Sequence, residues 1–278
     1  MEIFLFVLLI IVVLVVIFFK LPYSKTVSEF SNVINQHIVN TKGESGFFEE
    51  KDIEDMPLPV QRYFRFCGYI GTPKMFYMKA TFEDVDFKMS KDKTIKIDYT
   101  QYNFVEKPER FALINSSLYG IPFEGFDSYD NGVGSMKGSI AKVVTLFDQR
   151  GDEMDKACLV TILAECLAVP NIALQDYIKW EAIDDTHAKA TINYYGISAS
   201  GIFTFNEEGA MLSFRTKDRV ATDMNGFTRE AEWSTIICEY KEINGLKYPD
   251  KLQSIWHYEE GDSIYFNENK ASISIEYY

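Results

Sequence analysis

The chain has 278 residues, 47% of them hydrophobic and 25% charged, which is typical of a globular protein and excludes a disordered one. Its formal net charge of −13 repels phosphate backbones, so we expect no nucleic-acid partner. Aromatic residues make up 15% of the chain, and they favour strands, where large rings pack on a half-buried pleated surface.

Residues 3–19 form an uninterrupted apolar run, IFLFVLLIIVVLVVIFF. A run of this length can cross a bilayer when flanking groups such as Lys20 and Tyr23 reach the interfaces. A cleaved signal peptide would need a basic start and a small-residue cleavage site, but the run is preceded by Glu2 and followed by KLPYSKT. The sequence therefore favours a single-pass anchor in the cell membrane over residues 1–23. Lys20 and Lys25 favour a cytoplasmic domain, but two lysines leave the side undecided.

Residues 24–46 are predicted to form an amphipathic linker helix, because apolar residues recur there at spacings of three and four. His37 lies on this helix, and neither it nor the other two histidines has a partner at a metal-ligand spacing. The sequence thus predicts no metal site.

The segment DMPLPVQRYFRFCGYIGTPK, residues 55–74, predicts a helix that starts at its prolines and ends near Gly68. Its apolar stripe would pack on the rest of the fold. The stripe consists of Val60, Tyr63, Phe64 and Cys67. We expect Arg62 or Arg65 to pair with a carboxylate.

Beyond Pro73, segments of partial alternation separated by short turns predict about 10–11 strands, paired mostly in antiparallel order. One apolar helix interrupts them between Gly151 and Leu174. The expected fold is mainly β (α+β): a curved antiparallel sheet or half-barrel with helices on its concave face, in a single domain over residues 47–278. The four cysteines lie in apolar contexts and are predicted to be buried free thiols.

Glu165 is the most informative charge, because it lies in the apolar stretch ACLVTILAECLAVPNIALQ. A carboxylate in such surroundings either has a raised pKa or pairs with an arginine. It would anchor a ligand at the base of a cavity, act in proton transfer, or form a structural ion pair. On a helix, Thr161 would share its face.

Asp127, Tyr129 and Asp130 form a second candidate cluster, in FDSYDNGVGSM. Two nearby carboxylates suit a cation or an acid–base pair, but Asp-Asn-Gly is also common turn material. Arg219 and Trp180 complete the candidate ligand-binding set, with Arg219 as the expected partner of a buried carboxylate or a residue of a rim salt bridge. No hydrolase elbow, P-loop or dinucleotide motif is present, so no cofactor and no catalytic residue are predicted.

Several motifs in a fixed order resemble an uncharacterised bacterial family of membrane-anchored proteins. These are an LPxPVQRY opening (here MPLPVQRY), the block DSYDNGVGSM, and AEC before a proline. The order of strands around an apolar helix is also similar to the half-barrel of lipoprotein carriers (LolA/LolB-like), whose curved sheet can enclose acyl chains.

This resemblance implies a membrane-anchored protein that binds a hydrophobic or lipid-like ligand in a half-barrel cavity. Two alternatives stay open at this point. One is an enzyme that uses Glu165, Asp127, Asp130 and Arg219, and the other is a scaffold protein that binds partners through an outer strand face.

Overall fold

The structure, a computed structural model, describes residues 1–42, 46–90, 93–222, 226–268 and 272–278. Its α-helices are α1 (Glu2–Lys20), α2 (Lys25–Asn40), α3 (Leu58–Cys67), α4 (Asp152–Glu165) and α5 (Pro170–Ala173), with a 3-10 turn at Glu50–Asp52. The linker segment 24–46 is thus helical as far as Asn40, and residues 43–45 lie outside the described part of the chain.

The described strands are β1 (Tyr77–Ser90), β2 (Lys93–Phe104), β3 (Glu109–Leu118), β4 (Ile121–Asp130), β5 (Val133–Ile140), β6 (Val144–Gln149), β7 (Ile178–Ala182), β8 (His187–Tyr194), β9 (Ile197–Phe205), β10 (Met211–Thr216), β11 (Val220–Thr222), β12 (Thr228–Glu230), β13 (Glu232–Ile243), β14 (Leu246–Tyr258), β15 (Gly261–Asn267) and β16 (Ser272–Tyr277).

One sheet contains 14 of these strands in the order β6-β5-β4-β3-β2-β1-β15-β14-β13-β10-β9-β8-β7, and β16 also pairs with β1. The pairs are antiparallel, the sheet does not close on itself, and β11 and β12 form a separate hairpin. The predicted fold class, a large antiparallel sheet with helices, is confirmed.

Part of the excess over the expected 10–11 strands arises because tight hairpins divide the middle of the sequence more finely than its pattern suggests. Residues 110–148 hold parts of four strands, where the sequence predicted two or three. The turns between them use backbone with positive φ, at Tyr119–Gly120 and at Asn131–Gly132. Two consecutive residues with positive φ are typical of the turns that join adjacent antiparallel strands directly.

Helices α3 and α4 pack on one face of the sheet, which we call the inner face. Helix α4 contacts β3, β4, β5, β8 and β9, and α3 contacts β8 and β14. The main hydrophobic core lies between these helices and the sheet. Helix α4 is buried along most of its length and ends at Glu165, which lies against β2 and β3 on the inner face.

Helix α2 packs on the opposite face of the sheet, which we call the outer face. Its Phe30 and Ile34 contact a smaller cluster of side chains from β2, β3 and β4. These are Phe104, Phe111, Leu113 and Phe126. Helices therefore cover both faces of the sheet at β3 and β4, and the amphipathic pattern of α2 is explained by this contact.

Helix α3 confirms the expectations for its segment. All four residues of the predicted stripe have no exposed surface, and Gly68 ends the helix with a left-handed φ of 79°. Arg65 pairs with Glu50, its Nη2 lying 2.6 Å from Oε2, as predicted for one of the two arginines. Arg62 instead donates to the backbone carbonyl of Asp185.

The prediction of four buried thiols is right for three cysteines and wrong for the fourth. Cys67, Cys158 and Cys166 are free and buried, whereas Cys238 is free and exposed. Cys238 lies in β13 beside a break in the pairing register with β14, between Ile237 and Glu239. Local apolar sequence did not reveal this irregularity.

Helix α1 has no buried residue, and its segment is long and apolar enough to cross a membrane.

Candidate functional site

A cavity of about 940 Å³ lies on the inner face of the sheet. Helix α4, the β11–β12 hairpin and strands from both halves of the sheet contribute to its walls. The walls are mainly apolar and aromatic, with side chains that include Phe82, Ile97, Leu252, Trp256, Phe266 and Ile273. A volume of this size falls within the range of small-molecule binding sites.

One wall of the cavity carries a charged network centred on Arg110, which is 5% exposed. Side chains alternate between the two faces along a strand, so Arg110 of β3 shares the inner face with Asp127 of β4 and Tyr99 of β2. Gln101 lies two residues beyond Tyr99, on the same face. Three neighbouring strands thus present polar groups to the C-terminal end of α4.

Arg110 bridges the two carboxylates. Its Nε lies 2.9 Å from Oε2 of Glu165, and its Nη1 lies 2.7 Å from Oδ2 of Asp127. Its Nη2 also donates to the hydroxyl of Tyr99. Gln101 and Asn103 donate side-chain N–H groups to the same Oε2 of Glu165, at 3.1 and 2.8 Å. Both carboxylates are therefore held by charge-assisted hydrogen bonds.

The network has the character of a fixed structural feature. Burial alone would lower the pKa of Arg110, but attraction to Glu165 and Asp127 raises it, so the guanidinium stays charged. The thiol of Cys158, 3.8 Å from Oδ1 of Asp127, has its pKa raised chiefly by burial. Because the thiolate is the nucleophilic form, this cysteine is poorly suited to covalent chemistry.

The block DSYDNGVGSM forms the hairpin of β4 and β5, and its residues have separate roles there. Asp127 faces the cavity, and Asn131–Gly132 makes the turn with φ values of 49° and 83°. Gly134 lies directly against the first turn of α4, where its N–H donates to Oδ1 of Asp155 at 2.6 Å. The block therefore contains both a turn, at Asn131–Gly132, and a residue of the cavity wall, Asp127.

Asp127 and Asp130 do not form a carboxylate pair. They lie three residues apart on one strand, and their side chains point to opposite faces of the sheet. Asp127 binds Arg110 on the inner face, whereas Asp130 lies near His37 of α2 on the outer face. An acid–base pair of these two residues therefore has no geometric basis.

Arg219 lines the cavity but is not the partner of Glu165. It follows β10, and its guanidinium lies over the rings of Trp233 and Trp256, 4.8 and 5.6 Å from their centroids. Its Nη1 donates to Oγ1 of Thr161 at 3.1 Å. The expected pairing of Arg219 with a buried carboxylate is thus replaced by stacking on two indoles.

Tyr129 and Trp180 lie away from the cavity walls. Tyr129 is 1% exposed, and its hydroxyl has no hydrogen-bond partner among the described residues. Trp180 donates its indole N–H to the carbonyl of Ala173 at 2.9 Å and packs on Phe203. The structure therefore brings Glu165, Asp127 and Arg219 together around one cavity, and places these two aromatic residues in the core around it.

A second polar cluster joins α2 to the outer face. Nε2 of His37 lies 3.3 Å from Oε2 of Glu109 and 3.5 Å from Oδ1 of Asp130. Nδ1 of His37 lies 2.9 Å from the carbonyl oxygen of Val33, so Nδ1–H donates there and Nε2 faces the carboxylates. The three ligand atoms lie within 4.8 Å of one another and could hold a metal ion. Spacing along the sequence could not reveal this group, because its members come from three elements.

The His37 cluster predicts that the attachment of α2 depends on pH. The hydrogen bond to Glu109 raises the pKa of His37 against the lowering effect of burial, so the folded state holds the proton more tightly. The resulting stabilisation is fully present below the unfolded pKa of about 6.5 and is lost as pH rises through the raised folded pKa. We expect a loss on the order of 1 kcal/mol.

Unfolding of the wild-type protein and of His37→Gln, measured from pH 5.5 to 9, tests this prediction. The difference in stability between the two should shrink as pH rises. A difference that stays constant with pH would contradict it.

Solved structures with a similar fold include the following two. A LolA superfamily protein from Nitrosomonas europaea shares 10% identity, covers 79% of this chain and 93% of its own, and gives a TM-score of 0.41. A DUF1329 family protein from Desulfovibrio piger shares 10% identity, covers 84% of this chain and 94% of its own, and gives a TM-score of 0.37. Similarity at this level carries no argument about function.

Among curated proteins, no match to this chain is found. A family model does match, over residues 46–268, which include α3, the charged network and all the cavity-lining strands except β16. This range contains the three motifs on which the sequence resemblance depends. The chain belongs to the family of unknown function DUF6544.

Proposed function

We propose that the protein binds a hydrophobic or amphiphilic small molecule, such as a lipid, in the cavity on the inner face of the sheet. The observation that carries this proposal is the cavity itself, about 940 Å³ in volume and walled mostly by apolar and aromatic side chains. Apolar walls gain free energy when a ligand displaces water from them. A cavity with few convergent polar groups favours a molecule that is mostly apolar.

The charged network supports binding over catalysis. Every carboxylate oxygen of Glu165 and Asp127 accepts a hydrogen bond from Arg110 or another neighbouring side chain. A general acid or base needs a free position facing the substrate and a pKa near the working pH. Because their oxygens are already engaged by protein donors, in this proposal these two carboxylates shape one end of the cavity and do not act on a substrate.

The apolar helix α1 supports a site of action next to a membrane. Its segment is long and apolar enough to cross a bilayer, and α2 follows it directly and packs on the outer face of the sheet. In this proposal α1 is the anchor and α2 holds the β domain close to the membrane, where hydrophobic ligands are abundant.

A ligand extraction experiment tests the proposal. The full chain is purified, and bound molecules are identified by native mass spectrometry and by solvent extraction. We expect an apolar or amphiphilic molecule at close to one per chain. Thr235, which lines the cavity from β13, offers a variant that fills the space: Thr235→Trp should abolish most of the binding.

Thr235→Val is the matched control, because it changes the same side chain with almost no added volume. It should bind as the wild-type protein does. The proposal fails if the wild-type chain carries no apolar molecule and takes up no neutral apolar dye, or if Thr235→Trp binds as well as Thr235→Val while remaining folded.

A further inference from the structure

Three arginines line the cavity, and Arg219 differs from the other two in its ion-pair partners. Arg110 is bound by Glu165 and Asp127, and Arg229 pairs with Glu260 through Nη1 and Nη2. Among the described residues, no carboxylate lies within ion-pair distance of Arg219. A half-buried arginine with no counter-ion is costly, because water and an anion would both stabilise it better than an apolar wall.

The carboxylate nearest to Arg219 along the chain is committed elsewhere. Asp218 binds Nζ of Lys156 at 2.8 Å through one oxygen. Its other oxygen accepts from the backbone N–H and the hydroxyl of Ser200, at 2.8 and 3.1 Å. Asp218 is therefore held away from the guanidinium that follows it.

The hydrogen-bonding capacity of Arg219 is largely unused. Among the residues that the structure describes, only Nη1 donates a hydrogen bond, to Thr161. Nε is buried with no acceptor, and Nη2 donates to no acceptor among the described residues. The guanidinium lies over two indole rings at the cavity wall, a contact that favours a cation in this position. These contacts therefore position the side chain before any ligand binds, and N–H groups remain that could donate to a ligand.

We infer that Arg219 binds the anionic head group, a carboxylate or a phosphate, of an amphiphile whose apolar chain occupies the rest of the cavity. This inference rests on the proposed function and names the class of ligand. The guanidinium suits both anions, because its planar donors match two oxygens of either group. The apolar wall from Phe82 to Phe266 then takes the chain, and the guanidinium of Arg110 is already bound by Glu165 and Asp127.

A displacement experiment with matched probes tests the inference. The full chain in phosphatidylcholine nanodiscs is loaded with the neutral dye N-phenyl-1-naphthylamine at pH 8, and empty nanodiscs are subtracted. Decanoate, decyl phosphate and decan-1-ol share one chain length and differ in the head group. We expect both anions to displace the dye at concentrations roughly tenfold lower than the alcohol does, as a charge-assisted hydrogen bond provides.

Variants assign this preference to Arg219. Arg219→Met should remove the advantage of the anions and leave displacement by decan-1-ol unchanged, whereas Arg219→Lys should keep part of it. Arg215→Met is the control, because Arg215 lies four residues earlier on β10, is exposed and pairs with Glu232. It removes the same charge outside the cavity and should keep the full preference.

The remaining outcomes separate this inference from the proposed function. Equal displacement by decanoate and decan-1-ol in the wild-type protein would overturn the anionic head group and leave apolar binding intact. Inorganic phosphate or acetate competing as well as the ten-carbon anions would mean a site for a free anion, which also overturns it. A protein that binds neither dye nor probe would refute the proposed function itself.

Discussion

Replacing Arg110 by methionine is expected to destabilise the protein by about 3–5 kcal/mol, the usual cost of leaving buried charge without its partner. Methionine fills a similar volume but cannot donate, so Glu165 and Asp127 would face each other across the cavity wall without a cation. Tyr99 and Gln101 would also lose a donor to their oxygens. Urea unfolding of the purified protein at neutral pH measures the effect.

Arg65→Met is the matched control, because it makes the same change in a surface arginine that donates two hydrogen bonds to one carboxylate, that of Glu50. Solvent screens that pair, so its loss should change the free energy of unfolding little. A cycle with Glu165→Gln adds a second measurement: the two single changes should be far from additive if the groups act as one network. Equal costs for Arg110→Met and Arg65→Met would show that water already supports these carboxylates.

The architecture was predictable from the sequence, because each helix or strand follows a pattern among residues that are close along the chain. Helix α3 begins at its prolines and ends at Gly68, and its stripe is fully buried. The anchor-like helix, the antiparallel pairing and the inserted helix α4 follow from runs and periods of this kind. The family motifs gave the same outline.

The partners within the site were not predictable in the same way. Glu165 was correctly singled out as a charge in apolar surroundings, but its partner is Arg110 and not Arg219. Alternation along β3 places Arg110 on the same face as Ala112 and Ile114, but the other face carries Phe111 and Leu113 and is also apolar, so the pattern did not show which face the cavity would use. Register then decides which strand lies beside which, and one-residue changes in register exchange the two faces.

The His37 cluster was also not predictable from the sequence. His37 comes from α2, Glu109 from the start of β3 and Asp130 from the end of β4. Nothing in the spacing of these residues relates them, because the contact depends on how α2 crosses the outer face. Packing of a helix on a sheet is a long-range property that no local pattern encodes.

Gly134→Ala is expected to destabilise the protein by about 1–3 kcal/mol, as overpacking of a well-filled contact does. A Cβ at this position would lie 2.6 Å from the carbonyl oxygen of Met154 and 3.0 Å from the Cα of Asp155. Both are backbone atoms of the first turn of α4, so no side-chain rotation can relieve the contact. The strain would push α4 away from β5 and displace Glu165 and Thr161 at the cavity.

Gly125→Ala on the neighbouring strand β4 is the control, since the three atoms nearest to its Cβ would be the Cβ and Cδ1 of Ile114 and the Cε of Met136, all side-chain atoms at the longer distances of 3.2 to 3.3 Å. Flexible side chains can give by a few tenths of an ångström, so this change should cost clearly less. Unfolding experiments and dye binding on both variants give the comparison. If Gly134→Ala matched Gly125→Ala in stability and kept full dye binding, the close approach of α4 to β5 would not be what positions the helix over the cavity.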